Sequence, residues 1–215
     1  MSERGKYWLI EGPGGSGKST LLHKLARFLG DEFGRRVEVV REPGGEQGPE
    51  QIRDFIFVAK AAGVIDAGQQ AALFNAARYI LMGTKVEPLL ITGVDVASDR
   101  GAPSTVAFQG AEGGDAEKLD RICEFGMRGV KPDVVLFLDV SAETVMSRRS
   151  FNHNGDPYDR LGRRFVERVV ANYRELWKVG WGGLNWQRID AECSMGEVEE
   201  VMKTIVSSLL GSGVK

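Results

Sequence analysis

An α/β fold, a parallel sheet covered by helices on both faces, is what this sequence predicts, and three observations carry it. Short apolar runs alternate with stretches of helical period along the chain, the pattern of β-α-β crossovers, which join parallel strands. The run Val134-Val135-Leu136-Phe137-Leu138 is apolar at every position, as a strand buried on both faces has to be. The third is a glycine-rich stretch, Gly12-Pro13-Gly14-Gly15-Ser16-Gly17-Lys18-Ser19, set between a strand-like run and a helical one.

The first strand spans 6–11, where Tyr7-Trp8-Leu9-Ile10 is continuously apolar. Leu21, Leu22, Leu25, Phe28 and Leu29 then recur at helical spacing and predict a helix over 18–30. Strands follow at 37–40 and 94–98, with helical patterns at 48–60 and, uninterrupted, at 69–91 between them. A helix at 115–129 leads to the central strand at 133–139, and another at 142–150 follows it. Residues 150–160, Ser-Phe-Asn-His-Asn-Gly-Asp-Pro-Tyr-Asp-Arg, are dense in turn formers and read as a loop. A helix over 159–178, a strand over 186–190 and a helix over 196–210 complete the chain. Val198, Val201, Met202, Ile205 and Leu209 form the apolar face of the last helix. All 215 residues are expected to form one domain. Ligands of such sheets sit at the carboxyl ends of the strands, so functional residues are expected just after 11, 40, 98 and 139.

Charge and cysteine content narrow the partners. The chain carries 28 basic and 30 acidic residues, without the basic excess that a duplex-binding surface needs. Cys123 and Cys193 form no C-x-x-C pair and are expected to be thiols in a reducing cytosol. No signal-like or membrane-length apolar run occurs, so a cytoplasmic protein without membrane or nucleic-acid partners is expected.

The glycine-rich stretch reads G-x-x-x-x-G-K-S. Its glycines let backbone N–H groups turn inward around phosphate oxygens, and the following helix points its positive end at the same anion. Lys18 reaches the β- and γ-phosphates of a nucleotide, and Ser19 can ligate Mg²⁺. Arg41-Glu42-Pro43-Gly44-Gly45 makes a tight turn after the second strand, where Arg41 and Arg53 can face an anion. After the third strand, Asp99 can handle a metal ion and its waters while Arg100 grips a phosphate. A surface ion pair is the plainer account. Phe74 and Arg78, four residues apart, share a helix face and can read a nucleobase, or can be a core ring and a surface charge. Arg148 and Arg149 precede the 150–160 loop, and Arg160, Arg163 and Arg164 follow. They suit a lid over phosphates or a solvated helix end.

The segments EGPGGSGKST, REPGGEQGPEQIR, LFNAARYI, SDRGAPSTVAFQG, PDVVLFLDV, RRFVERVVANYREL and NWQRIDA occur in the order and rough spacing of the thymidylate kinases, and the chain resembles that family from about residue 6 to 205. The resemblance implies a P-loop NTPase fold with a five-stranded parallel sheet and a small lid at about 148–160. It implies transfer of the γ-phosphate of ATP to dTMP with Mg²⁺, and a homodimer. By the same resemblance, Gly12, Pro13, Gly14, Gly15, Ser16, Gly17, Lys18, Ser19 and Thr20 hold ATP, and Ser19 and Asp99 place the metal. Lys18, Asp99, Arg100, Arg148 and Arg149 act on the transferred group. Glu42, Arg53, Phe74, Arg78, Arg100, Ser104, Thr105 and Gln109 bind the acceptor. The chain departs from the family at Gly14, where an acid is usual, and at Gly101, where an aromatic or His is usual. Glu46 and Phe108 replace a usual Thr and Tyr, and Gly15 leaves the loop without an arginine. These departures put another base preference, or nucleotide binding without turnover, among the alternatives. A rival from a different class is a switch ATPase using Asp139, at the end of the central strand, as its metal residue.

Overall fold

A computed structural model describes residues 3–149, 158 and 161–211. Its sheet has five parallel strands, β1 (Tyr7–Glu11), β2 (Val37–Arg41), β3 (Asp95–Asp99), β4 (Val134–Asp139) and β5 (Trp186–Asp190), in the spatial order β2-β3-β1-β4-β5. The helices are α1 (Lys18–Phe33), α2 (Gln47–Ala61), α3 (Ala67–Leu81), α4 (Glu87–Ile91), α5 (Ala102–Ala111), α6 (Ala116–Met127), α7 (Ala142–Arg149), α8 (Arg163–Lys178) and α9 (Met195–Leu210). This is the five-stranded parallel arrangement, with helices on both faces, that the resemblance implies.

Alternate side chains of the strands enter different cores, because Cβ direction reverses at each residue. Trp8, Ile10, Leu136 and Leu138 pack with Leu21 and Leu25 of α1 and with Val198 and Met202 of α9. Leu9 and Val135 pack with Leu184, and Phe137 packs with Phe165 and Tyr173 of α8. Both sheet faces are therefore covered, which is why β4 has no polar position before its last residue. Leu136 is fully buried in this core, and Leu136→Ala should lower unfolding free energy by about 2–5 kcal/mol in denaturant titration.

Two helical expectations change. The single helix over 69–91 is three pieces, because α3 gives way to a π-helical stretch, Met82–Val86, before α4. Pro88 supplies the cause: its ring would strike the Thr84 carbonyl of a straight helix and its nitrogen has no proton to give. α5 falls where the sequence showed no helix. Among the described residues, no helix is long and apolar enough to cross a membrane. Both cysteines are free, and burial pushes the Cys123 thiol up to about 11.

Strand order positions the site. β1 and β3 are neighbours, with Ile10 opposite Asp99, so the loops leaving their carboxyl ends start side by side. The Arg100 N–H donates to Ile10 O at 3.0 Å and the Glu42 N–H to Asp99 O at 3.0 Å, which ties three strand ends together.

Candidate active site

The loop after β1 is shaped by three glycines with positive φ, Gly12 (148°), Gly15 (78°) and Gly17 (97°). A Cβ at Gly12 would lie 2.7 Å from the Leu138 carbonyl oxygen, so the loop passes the neighbouring strand too closely for any side chain. Gly14 is not among the positive-φ residues, and the backbone does not dictate its missing side chain. Lys18 opens α1 and is nearly buried; its Nζ donates to Pro13 O at 2.8 Å, folded back over the loop. Ser16 is buried, while Ser19 and Thr20 are exposed at the start of the helix. Arg148 reaches the loop from α7, donating to Gly15 O at 3.4 Å and Ala191 O at 3.0 Å. The Arg149 side chain and the lid segment, apart from Tyr158, lie outside the described residues.

Ser19 Oγ donates to Asp99 Oδ2 at 2.7 Å, linking the loop to the end of β3. Asp99 Oδ1 is buried and accepts no hydrogen bond among the described residues. Arg100 follows with φ 74°, a left-handed conformation uncommon outside glycine. Its Nη1 donates to Gly12 O at 3.2 Å and Ser104 Oγ at 3.1 Å, and its guanidinium lies 4.9 Å above the Phe108 ring. Phe108 thus supports a cation, a task that needs its ring and no hydroxyl. Gly101 is packed against β1, since a Cβ there would come within 2.9 Å of the Leu9 methyl carbons.

Beyond Asp99, which lines it, opens a cavity of about 110 Å³ that gathers the predicted acceptor residues Glu42, Arg53, Phe74, Arg78, Arg100, Ser104, Thr105 and Gln109. Arg41, Pro43, Phe57, Phe108 and Tyr158 complete its lining. One end is cationic. Arg53 stacks 4.4 Å from the Phe57 ring centre, and Arg41 and Arg53 share Glu50 at 2.6 and 3.2 Å. Burial would raise the Glu50 carboxyl, but the Gly45 N–H and both guanidiniums outweigh it and hold it low. The other end is aromatic. Phe57 meets Phe74 edge-on at 6.4 Å, and Tyr158 meets Phe108 edge-on at 5.3 Å.

Arg78 lies between them, 1% exposed. Its Nε donates to Glu42 Oε2 at 2.8 Å, and the fork also reaches Asn75 Oδ1 and Thr105 Oγ1. Glu42 is likewise buried and accepts from Tyr7 and Ser98 on its other oxygen. It lines the cavity, as predicted, but its carboxylate is committed to bracing Arg78. That bracing explains Tyr7, whose phenol burial and the adjacent Glu42 carboxylate push well above its ordinary pKa. Glu46, the residue in place of the family's Thr, pairs with Lys85 outside the cavity.

Three residues at the site were missed in the sequence. Tyr158 accepts from Gln109 Nε2 at 2.7 Å and donates to Gln70 Oε1 at 2.7 Å, closing the aromatic end. Phe57 stands four residues after Arg53, the same spacing that singled out Phe74 and Arg78, and that signal was available. Glu11 is a charged residue ending an apolar strand next to the glycine-rich loop, also a readable anomaly. After β4, Arg148 of α7 reaches the loop, but Asp139 itself does not line the cavity. Asp139 accepts from Arg174 Nε at 2.8 Å and Arg188 Nε at 2.7 Å, so two guanidiniums take the place that a metal would need.

A phosphate loop and an acceptor cavity that meet at Asp99 are the two halves of a P-loop kinase, which holds donor and acceptor end to end. A model of the thymidylate kinase family matches residues 10–204. The chain is 35% identical over 176 residues to a thymidylate kinase of Latilactobacillus sakei subsp. sakei (strain 23K), a match covering 80% of this chain and 81% of the relative. It is 36% identical over 182 residues to one from Oenococcus oeni (strain ATCC BAA-331 / PSU-1), covering 82% and 84%. A thymidylate kinase of Synechococcus sp. (strain CC9902) is 30% identical over 214 residues, covering 96% and 99%. The chain belongs to the thymidylate kinase family.

Proposed function

We propose that this chain transfers the γ-phosphate of ATP to dTMP, giving ADP and dTDP. The supporting observation is the cavity in which cations at one end and aromatic rings with Arg78 at the other face the loop across Asp99. Such transfer needs positioning and cationic clamping more than covalent chemistry by the protein.

Residues 12–20 hold the ATP phosphates through backbone N–H groups, and Lys18 leaves Pro13 O to contact the β- and γ-oxygens. Arg100 and Arg53 grip the acceptor phosphate, with Ser104 beside it. Arg148 and Arg149 bring positive charge to the transferred group. Mg²⁺ fits between the sites: Ser19 Oγ and Asp99 are hard oxygen donors, and Asp99 Oδ1 is a buried acceptor without a partner among the described residues. Bound there, Mg²⁺ would neutralise charge on the phosphates. The same function carries a homodimer, for which exposed Phe55 and Val58, three residues apart on α2, offer an apolar face, and a cytoplasmic location with its substrates.

Phe74 supplies a stacking face for any base, whereas Arg78 discriminates. Of its five N–H groups, Glu42, Asn75 and Thr105 engage four among the described residues, and the fifth, on Nη2, is assigned to the base. Thymine and uracil offer a carbonyl at position 4, and cytosine an amino group, which would face donor against donor. Such a mismatch costs about 1–3 kcal/mol. The expected order is therefore dTMP best, dUMP detectable and dCMP poor, and Arg78→Ala should lower kcat/KM for dTMP and narrow its lead over dCMP. Coupled ADP release across a panel of nucleoside monophosphates checks both. A wild-type preference for dCMP or a purine would overturn the thymine assignment, and ADP release indifferent to every monophosphate would overturn the kinase.

A further inference from the structure

We infer, taking the phosphotransfer reading above as given, that Glu11 is a positioning residue: it aims Arg100 at the acceptor phosphate and locks the acceptor turn to the donor loop.

Glu11 is the last residue of β1, directly before Gly12, and is fully buried. It is not part of the cavity wall, so it acts through what it holds. Its Oε1 accepts from the backbone N–H of Gly101 at 2.8 Å and of Ser104 at 3.2 Å, at the N-terminus of α5. Its Oε2 accepts from Ser104 Oγ at 2.8 Å and Tyr173 Oη at 2.9 Å. Four donors thus converge on one carboxylate, and they come from the turn after β3 and from α8.

The same two hydroxyls carry the orientation on to Arg100. Arg100 Nη1 donates to Ser104 Oγ at 3.1 Å and to Tyr173 Oη at 3.2 Å. Each hydroxyl can give its hydrogen to Glu11, while the two hydrogens of Arg100 Nη1 are shared among Ser104 Oγ, Tyr173 Oη and Gly12 O; the two hydroxyls also lie 2.8 Å apart. The guanidinium is thereby fixed relative to a residue adjacent to the phosphate loop, whose Gly12 carbonyl it also reaches. Arg100 needs such restraint because its φ of 74° is a conformation that a non-glycine residue leaves when released. The restraints are its own N–H on Ile10 O and the Gly101 N–H on Glu11. Burial pushes the Glu11 carboxyl up, opposed by Arg100 and the two hydroxyls. A fully buried carboxylate kept at this cost to its charged form, one residue before the loop, holds two sites in register.

Glu11→Gln keeps the shape and one accepting oxygen but removes the charge that orients Arg100. Two constants are measured at a temperature where the variant is folded: the Kd of ATP without acceptor, and kcat/KM for whichever monophosphate the wild type uses best. Unchanged ATP affinity is expected, with kcat/KM for the monophosphate lower by on the order of 10- to 100-fold, the scale of a misplaced reacting group. Unchanged kcat/KM, or parallel losses in ATP and monophosphate binding, would overturn the role. Tyr173→Phe removes one hydroxyl bridge and leaves the carboxylate, so it reads the same role should Glu11→Gln be insoluble. It should lower the same constant by less, and no change there would also overturn the role. Where both variants fold, combining them should give less than the product of the single losses, because both act through Arg100; a full product counts against it. The wild-type arm separates the two levels. No monophosphate-stimulated ADP release from wild type sinks the function and this inference together, whereas an active wild type with indifferent variants sinks only the inference.

Discussion

Lys18→Ala folds like the wild type and loses phosphoryl transfer by a factor on the order of 10³ or more, because the cation proposed to contact the β- and γ-phosphates is gone. The fold survives because Lys18 stands at the first position of α1 with Gly17 as its N-cap, and its Nζ donates to Pro13 O at 2.8 Å and Ser16 Oγ at 3.5 Å within the same loop. Alanine is a good helix former at that position. The loop's glycine turns, at Gly12, Gly15 and Gly17, do not depend on the lysine, so residual ATP binding through backbone N–H groups is expected. Coupled ADP release with saturating dTMP, beside thermal unfolding of the same sample, checks this. A folded variant within a few-fold of wild type would remove the donor site from the loop.

Asp99→Asn lowers kcat by about 10²-fold, the scale of removing one charge from a preorganised site. Asp99 accepts from Ser19 at 2.7 Å, and its second oxygen is a buried acceptor with no partner among the described residues. An amide there presents N–H groups where a cation would bind, so higher Mg²⁺ concentrations should be needed for half-maximal rate. Asp139→Asn is the control at the other strand end. Its carboxylate is held by Arg174 and Arg188, and losing a buried partner of two guanidiniums lowers stability more than turnover. The reverse ranking in kcat at saturating dTMP would favour a switch ATPase with Asp139 at its metal.

The sheet was legible because burial on both faces leaves a simple mark. The apolar run at 133–139 became β4 almost residue for residue, whereas β5 at 186–190 is an edge strand with Ile189 its one buried residue. α5 was illegible for the opposite reason. Ala102, Pro103, Ser104, Thr105, Ala107, Phe108, Gln109 and Ala111 are all buried, so the helix has no polar face to set a period. Its Pro103 reads as a loop residue, although a first-turn proline loses no hydrogen bond. Within the site, spacing along one helix revealed Phe74 and Arg78. It did not reveal Tyr158, which meets Gln109 and Gln70 only through tertiary packing over sequence separations of 49 and 88 residues. Glu42 shows the complementary limit: its place in the turn was legible, but its commitment to Arg78 and Tyr7 depends on strands brought together by the fold.

The central claim is that phosphate passes from ATP to the base-bearing acceptor and not to water. ATP labelled in its γ-phosphate, incubated with the protein, Mg²⁺ and dTMP, tests it most directly when the products are separated. The label is predicted in dTDP, with little in inorganic phosphate and little turnover when dTMP is left out. Label released as inorganic phosphate at the same rate with and without dTMP would contradict it.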